Sequence, residues 1–300
     1  MEEHATTTGS TIPTTGSTIL VTGATGQVGR RLVPRLLTWR RPDERIRVLV
    51  RSREAADRFT ALGAEAVIGD LREAADRVKA LDGVDTVVNS AAAFRNVGEG
   101  EMPAVNRDAA LALGRESVEA GVTRFVQLST NLVYGPSRGR PAVEDDELLA
   151  TGGYPGSKRE AEEGLAALRE SAGLGLVVVR LAFVYGDGDP HILDWLPRAA
   201  AWPAHQRMTM VHHADIAQTV AHVISRAGLE GRVYNLADDA PMTAWDLHAL
   251  YGRRMDLSDA ADRTVSDPWS GAADTARIRA ELGFRPLFPT AWSARAAGAL

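Results

Sequence analysis

The chain has 300 residues, with ordinary fractions of hydrophobic (45%) and charged (24%) side chains and a formal net charge of −5 at pH 7. This length suffices for a soluble globular protein, and the mildly negative charge, without a basic stripe, predicts neither nucleic acid nor an anionic membrane as a partner. The absence of cysteine excludes disulfides, thiolate chemistry and cysteine metal sites, and it suits the cytoplasm, where we expect the protein.

Residues 1–17 are predicted to form a flexible tail, because they are rich in Thr, Ser and Gly. They begin Met1-Glu2-Glu3 and lack both the basic start and the apolar stretch of a signal peptide. No later apolar segment is long enough to span a bilayer. We therefore expect no signal peptide and no membrane partner.

From Ser17 onward, short apolar runs alternate with longer amphipathic runs, which is typical of βαβ units around a parallel sheet. Strands are predicted at residues 18–22, 46–50, 65–68, 86–89, 124–129 and 176–180. Helices are predicted at residues 27–37, 54–62, 105–120 and 158–171. The predicted fold class is therefore α/β, with a doubly wound parallel sheet (Rossmann) over residues 18–180. A smaller C-terminal substrate-binding lobe follows over residues 181–300, from which 232–237 returns as a strand to the main sheet.

A glycine-rich turn, Gly23-Ala24-Thr25-Gly26-Gln27-Val28-Gly29, joins the first strand to the first helix. Glycines there let the backbone turn tightly and approach a pyrophosphate, while the amides at the helix N-terminus face its charge. The alternative is a merely structural turn. We predict that a dinucleotide is bound by the turn residues Gly23, Thr25, Gly26, Gln27, Val28 and Gly29.

The end of the second strand decides between the two nicotinamide cofactors, because an acidic residue there binds the ribose 2′-hydroxyl and repels a 2′-phosphate. This chain has Arg51-Ser52-Arg53 instead, whose guanidinium and hydroxyl groups suit a phosphate dianion. We predict NADP, with NAD as the alternative if the arginines are ordinary surface charge. Asp70, after the third strand, is predicted to accept from the adenine amino group or else to cap the following turn.

Three side chains can form a proton-transfer centre. Thr130 follows the fifth strand, and Tyr154 and Lys158 stand four residues apart near the start of a helix. Residues i and i+4 share one helix face, so we expect the Lys158 ammonium to lie beside the Tyr154 phenol and to favour its ionised form. Taken alone, a Tyr-x-x-x-Lys pair is also typical of a solvated helix face.

Together these motifs resemble those of an extended or atypical short-chain dehydrogenase/reductase of the NAD-dependent epimerase/dehydratase type. The resemblance covers nearly everything after the tail. The matching segments are Gly23-x-x-Gly26-x-x-Gly29, Gly69-Asp70-Leu71, Asn89-Ser90-Ala91-Ala92, Asn106, Leu128-Ser129-Thr130-Asn131-Leu132-Val133-Tyr134-Gly135, Tyr154-x-x-Ser157-Lys158, Arg180-x-x-x-Val184-Tyr185-Gly186, Val211-His212-His213-Ala214-Asp215-Ile216-Ala217, Tyr234-Asn235-Leu236 and Leu282-Gly283-Phe284-Arg285-Pro286.

The resemblance implies a role for each matching residue. Thr130, with Ser129 as fallback, would bond the substrate oxygen, Tyr154 would be the acid/base, and Lys158 would hold the nicotinamide ribose and lower the tyrosine pKa. The cofactor would also contact Asp70, Leu71, Ala91, Ala92 and Tyr154. It further implies a homodimer through the helices beginning near Val105 and Lys158.

The substrate site is expected at the carboxyl ends of the strands, where ligands bind in open α/β sheets. Its predicted residues are Phe94, Asn131, Phe183, Tyr185, His191 and Trp195. Compared with sugar-nucleotide enzymes of the family, residues 187–210 are compressed, and their aromatic and apolar side chains suit a lipophilic ketone better than a diphosphate. Packing in the core is an equal alternative for Trp195 and Trp202.

The sequence therefore favours an NADP-dependent ketoreductase or alcohol dehydrogenase that acts on a small-to-medium, partly apolar ketone or alcohol. The enzymatic alternative is a sugar-nucleotide epimerase or 4-ketoreductase, although Asn131-Leu132 replaces the acidic pair of the family's 4,6-dehydratases. The other alternative is a non-catalytic dinucleotide-binding protein. No arrangement of His, Asp and Glu has the spacing of a metal site.

Overall fold

A computed structural model describes residues 16–94, 97–98, 100–254, 259–265 and 267–300. The predicted tail therefore lies, except for Gly16 and Ser17, outside the described residues. The strands are Thr18–Thr22 (β1), Arg45–Val50 (β2), Glu65–Ile68 (β3), Thr86–Asn89 (β4), Arg124–Thr130 (β5), Leu176–Leu181 (β6), Phe183–Tyr185 (β7), Arg207–Met208 (β8), Met210–His212 (β9), Val233–Leu236 (β10) and Met242–Thr243 (β11). The helices are Gly29–Trp39 (α1), Arg53–Ala61 (α2), Ala74–Leu81 (α3), Glu101–Pro103 (α4), Ala110–Glu119 (α5), Gly153–Ala172 (α6), His191–Ala199 (α7), His213–Ser225 (α8), Ala244–Leu250 (α9), Ala276–Leu282 (α10) and Ala291–Ala296 (α11).

Seven of the described strands form one parallel sheet in the order β10-β6-β5-β4-β1-β2-β3. The predicted α/β class and doubly wound sheet are confirmed. Strand β10, within the predicted residues 232–237, returns to the main sheet and pairs with β6. Because β1 pairs with both β2 and β4, the strand order reverses there, and a crevice opens at the carboxyl ends of β1 and β4.

Both faces of the sheet are covered, since alternate side chains of a strand point to opposite faces. In β1, Ile19 and Val21 join a core that includes side chains of α1, α2 and α8. Leu20 points the other way and packs with side chains of α3, α5 and α6. This burial on both faces explains why the strands read as nearly continuous apolar runs.

A third apolar cluster has Tyr185, Leu196 and Leu247 among its members, and we call the segments that build it the lobe. The short sheets β7-β9 and β8-β11 accompany it. The lobe is attached to α1 through Arg31, whose Nε and Nη2 donate to the Asp187 carbonyl at 3.0 and 2.9 Å. The first turn of α1 and the lobe are therefore held together directly.

Helices α6 and α3 show how local sequence signals and the structure differ. Helix α6 begins at Gly153 rather than at the predicted residue 158, and Gly152 before it has φ 62°. Pro155 lies in the first turn of the helix, where a backbone N–H would have no partner within the helix, so its missing N–H costs no hydrogen bond. Helix α3 lies outside the predicted helices, and Arg77 is on its buried side. The guanidinium of Arg77 is paired with Glu116 at 2.7 Å. In the described ranges, no helix combines the length and apolarity needed to cross a bilayer.

A buried arginine ties the elements around the site together. Arg180 in β6 is 4% exposed and pairs with Glu162 of α6 at 2.8 Å. Its Nη1 also donates to the Tyr134 hydroxyl at 2.7 Å, and that hydroxyl donates to Asn235 of β10 at 2.7 Å. One guanidinium thus connects α6, the turn after β5 and the sheet edge.

Replacing Arg180 by Met should lower the free energy of unfolding by about 3–5 kcal/mol, because Glu162 is left buried without its partner. The double variant Arg180→Met/Glu162→Met should recover much of this loss, since it removes both charges. Urea unfolding of both variants measures the effect. Arg107→Met, which breaks an exposed pair with Glu160, is the control and should cost less than about 1 kcal/mol. An equally small loss for Arg180→Met would contradict the assigned role.

Candidate active site

Helix α6 presents Tyr154 and Lys158 one turn apart at its N-terminal end. Tyr154 is half-buried, whereas Lys158 is 2% exposed. The Lys158 Nζ donates to the backbone carbonyl of Leu128 in β5 at 2.7 Å. The structure therefore brings the predicted lysine against the strand that ends in Thr130.

Thr130 closes β5 and begins the helical turn that follows. Its Oγ1 accepts from the Leu132 amide at 3.2 Å, so its own hydroxyl proton remains available to an acceptor. The neighbouring Ser129 hydroxyl is buried and has no hydrogen-bond partner among the described residues. Both hydroxyls therefore have a proton to donate.

Burial shifts the pKa values of the two helix side chains in opposite senses. It raises the pKa of the Tyr154 phenol to about 12 and lowers the pKa of the Lys158 amine to about 8, with Glu162 acting weakly against the latter. The pKa of Tyr154 is therefore raised by desolvation, whereas the sequence predicted that Lys158 would lower it. Tyr154 stays protonated at neutral pH.

A row of buried side chains, which we call the polar row, leads from β1 to Lys158. The Thr22 hydroxyl donates to Asn89 at 2.6 Å, and Asn89 donates to Gln127 at 2.8 Å. Gln127 in turn donates to the Leu128 carbonyl at 3.0 Å, the same oxygen that accepts from Lys158. Sequence reasoning missed Gln127, although a polar residue inside an otherwise apolar strand was the available signal.

Asn106 fixes the loop after β4 against α6. This asparagine lies in a π-helical segment, Ala104–Ala109, of a kind often found near functional sites. Its side chain bonds both the amide and the carbonyl of Ala93, at 2.8 and 3.0 Å, and donates to Ser157 at 3.0 Å. The loop that carries Phe94 is thereby held next to Tyr154.

The glycine turn has the shape that a dinucleotide requires. Gly23 lies at φ +67°, and a Cβ there would stand 2.5 Å from the Ala91 amide. A Cβ on Gly29 would stand 2.3 Å from the Gly23 carbonyl. Helix α1 has no side-chain cap and no acidic residue in its first turn, so its N-terminal end can accept an anion. Thr25, Gly26 and Gln27 are exposed beside it.

Arg51, Ser52 and Arg53 are all exposed where β2 passes into α2. Ser52 also caps α2, because its hydroxyl accepts from the Ala55 amide at 3.2 Å. The Asp70 carboxylate accepts from both the backbone and the guanidinium of Arg72, and these hydrogen bonds lower its pKa. The alternative prediction for Asp70, that it caps the following turn, describes its present contacts. Leu71 and Ala91 are half-buried nearby, and Ala92 is exposed.

Four of the predicted substrate residues lie at the surface near Tyr154. The Phe94 ring packs on the Tyr154 ring with 4.5 Å between centroids and is 42% exposed. Phe183, His191 and Trp195 are half-buried. Trp195 and Trp202 also pack against the lobe core, as the alternative of core packing predicts, and a substrate contact of Trp195 stays a prediction.

Two predicted substrate residues do not line the site. Tyr185 is fully buried in the lobe, and its hydroxyl donates to Asp238 at 3.1 Å. Asn131 is 5% exposed, and its amide donates to the Gly271 carbonyl. Both side chains are used inside the protein, and we leave them out of the proposed site.

The chain is similar to known proteins in sequence and in structure. The model of the NAD dependent epimerase/dehydratase family matches residues 19–237. The 4-hydroxy-2-methyl-3-oxo-4-farnesyl-3,4-dihydroquinoline-1-oxide ketoreductase of Stigmatella aurantiaca is 28% identical over 285 residues, which cover 89% of this chain and 80% of the relative.

Two solved structures share the architecture. The dTDP-glucose 4,6-dehydratase DesIV from Streptomyces venezuelae, with NAD bound, has a TM-score of 0.74 at 25% identity and covers 93% of this chain and 97% of its own. A short-chain dehydrogenase/reductase superfamily protein from Agrobacterium tumefaciens, also with NAD, has a TM-score of 0.75 at 24% identity, with coverages of 93% and 95%. The latter likeness concerns the fold alone.

Lys158 should titrate with a midpoint near pH 8. The chain contains two lysines, Lys79 and Lys158, so a protein labelled with carbon-13 lysine gives two side-chain NMR signals. Lys79→Arg removes the signal of the exposed lysine and identifies the other. A Lys158 midpoint at the ordinary value of 10.5 would contradict its burial.

The same shift predicts how stability depends on pH. The folded pKa of Lys158 lies below the unfolded value, so between about pH 8 and 10.5 the unfolded chain binds more protons, and stability rises with pH. Below pH 8 the penalty for burying the charge is constant. Relative to Lys158→Met, the wild type should therefore gain about 3 kcal/mol across this window, measured by urea unfolding. A difference that does not change with pH would overturn this prediction.

Proposed function

Because the chain belongs to the NAD dependent epimerase/dehydratase family, and is thus an NAD(P)-dependent enzyme of the short-chain dehydrogenase/reductase type, we propose that it is an NADP-dependent ketoreductase or alcohol dehydrogenase. Its substrate is a small-to-medium, partly apolar ketone or alcohol. The observation that carries this proposal is the buried Lys158, which stands one helical turn from Tyr154 and donates to the carbonyl of Leu128, two residues before Thr130 at the end of β5.

Each of the three side chains has a chemical role that its surroundings support. The Tyr154 phenol, with its pKa raised to about 12, is a proton donor to the carbonyl oxygen during reduction and accepts that proton back in the reverse direction. Thr130 donates its free hydroxyl proton to the same oxygen. Lys158, held by the Leu128 carbonyl, keeps two further N–H groups for the cofactor ribose.

The glycine turn and α1 would hold the cofactor diphosphate, and bound NADPH supplies the hydride equivalent that reduces the carbonyl carbon. The balance is ketone, NADPH and one proton giving alcohol and NADP⁺. Arg51 and Arg53 support NADP, because they are exposed at the position that distinguishes the two cofactors in this fold. NAD is the alternative, since both solved structures described above contain it.

A ketone substrate is supported by the ketoreductase relative, which aligns over most of both chains. The aromatic side chains beside Tyr154 support it as well. Similarity to a sugar-nucleotide dehydratase favours the second candidate, a sugar-nucleotide epimerase or 4-ketoreductase. Asn131 and Leu132 argue against dehydration, because they replace the acidic pair of the family's 4,6-dehydratases. The Asn131 amide donates to the Gly271 carbonyl, and Leu132 is exposed. A homodimer and a cytoplasmic location remain predictions.

Tyr154→Phe should reduce kcat/KM by about 10²- to 10⁴-fold while leaving cofactor affinity unchanged, because it removes only the proton donor and keeps the ring that packs on Phe94. NADPH oxidation and fluorescence titration measure the two quantities. Tyr234→Phe removes a hydroxyl that bonds Glu281 away from the site and should retain activity. Undiminished turnover in Tyr154→Phe would contradict the assignment. A wild type that binds cofactor but reduces no ketone in a broad panel would support the non-catalytic alternative.

Arg51→Asp should weaken NADPH binding by about 10- to 100-fold and change NADH binding little, because it replaces a charge-assisted donor by a group that repels the 2′-phosphate. Arg41→Asp makes the same charge change at an exposed residue before the amino end of β2, whereas Arg51 follows its carboxyl end. This variant should leave both affinities unchanged. A wild-type preference for NADH, or indifference to Arg51→Asp, would refute the NADP prediction and favour the epimerase alternative.

A further inference from the structure

Five aromatic rings form a continuous line that starts at Tyr154, and we call it the aromatic run. From Tyr154 the contacts pass to Phe94 at 4.5 Å between centroids, and from Phe94 to His191 at 6.4 Å with nearly perpendicular planes. His191 stacks on Phe183 at 3.8 Å and 18°. Phe183 contacts Trp195 at 5.9 Å, which completes the run.

The aromatic run is assembled at the surface from distant segments of the chain. Its rings come from α6, the loop after β4, β7 and α7. Phe94 is 42% exposed and the other four are half-buried, whereas Phe125 and Phe284 in the core have no exposure. Rings that only filled a core would be as fully buried as Phe125 and Phe284. The aromatic run therefore presents apolar surface to a ligand.

The central ring of the run is fixed in orientation. The His191 Nδ1 donates to the Val184 carbonyl at 3.1 Å, and the His191 amide donates to Asp189 at 3.0 Å. Asp189 is itself held by His213 at 2.8 Å. These bonds hold the His191 ring plane against Phe183 before any ligand arrives, so little side-chain freedom remains to be lost on binding.

At the far end of the run, Trp195 packs against the lobe core, and the guanidinium of Arg198 lies 5.2 Å from its ring centroid. A wall of rings with preset planes discriminates by shape. Flat aromatic groups can stack or meet ring edges at favourable angles, whereas a flexible aliphatic chain gains only from area and loses more conformational freedom. The near end touches Tyr154, so a ligand on this wall lies next to the proton donor.

Building on the proposed reductase function, we propose that the aromatic run binds the planar part of the substrate, which is an aryl ketone with a fused aromatic or heteroaromatic ring beside the carbonyl. Phe94 and His191 are then the residues that determine specificity. Their contacts act on binding, so they set KM rather than the rate of proton transfer. Aliphatic ketones with the same number of carbon atoms bind the aromatic run poorly.

The test compares 2-acetylnaphthalene with 2-dodecanone, an aliphatic ketone of the same carbon number. Binding to the NADPH-loaded Tyr154→Phe protein, which keeps the ring but lacks the proton donor, is measured by calorimetry, and kcat and KM are measured with the wild type. We expect at least about tenfold tighter binding of the aryl ketone, seen mainly in KM. Phe94→Leu and His191→Leu, which keep an apolar side chain without the ring, should each remove most of this preference.

Trp39→Leu is the matched control, because it removes an exposed ring (46%) at the end of α1, outside the aromatic run. It should leave the preference unchanged, and circular dichroism and NADPH affinity check that each variant is folded. Equal affinity for the two ketones, or a preference that survives both Phe94→Leu and His191→Leu, overturns the inference.

The experiment separates this inference from the proposed function. If the aryl ketone binds preferentially but the wild type oxidises NADPH with neither ketone, the aryl site stands and the reductase proposal fails. If both ketones are reduced equally well, the reductase proposal stands and the aryl inference fails.

Discussion

A buried amine needs hydrogen-bond acceptors, and in this protein that requirement connects the central sheet to the helix that carries Tyr154 and Lys158. Lys158 donates to the Leu128 carbonyl, and the same oxygen is held by Gln127 at the end of the polar row. Because these groups are buried, losing one partner would leave another unpaired in a medium of low dielectric constant. The carboxyl ends of the central strands and the start of α6 therefore keep one relative position, which determines where Tyr154 stands.

Buried hydrogen bonds also hold the lobe in place, on the other side of the crevice. Arg31, in the first turn of α1, bonds the Asp187 carbonyl, while Asp189 accepts from both His213 and the His191 amide. The wall that faces Tyr154 is thus connected through hydrogen bonds to the helix that would hold the cofactor diphosphate. In the proposed enzyme, the glycine turn, Tyr154 and the aromatic run would thus keep fixed relative positions, which is the condition for productive orientation of two reactants.

Environment separates the roles of the two titratable groups on α6. Burial keeps the Tyr154 phenol protonated and at the same time weakens the hold of Lys158 on its proton. Neither shift follows from the Tyr-x-x-x-Lys spacing, which suggested only that lysine would acidify tyrosine. The spacing located the pair correctly on one helix, but the direction of the tyrosine shift depends on what surrounds the pair, including residues far away in the chain.

The amino-acid sequence by itself determined the fold class, the glycine turn and the strand positions, with β1, β3 and β4 matching their predicted bounds, because apolar periodicity and glycine spacing are local signals. Only the tertiary structure decided which side chains reach the surface. Helix α3 buries Arg77 because Glu116 pairs with it, Tyr185 is buried against Asp238, and Asn131 is bonded to Gly271. Phe183 and His191 become a stacked wall only once β7 and α7 are folded together. Such partners lie up to 140 residues apart, so no local pattern encodes them.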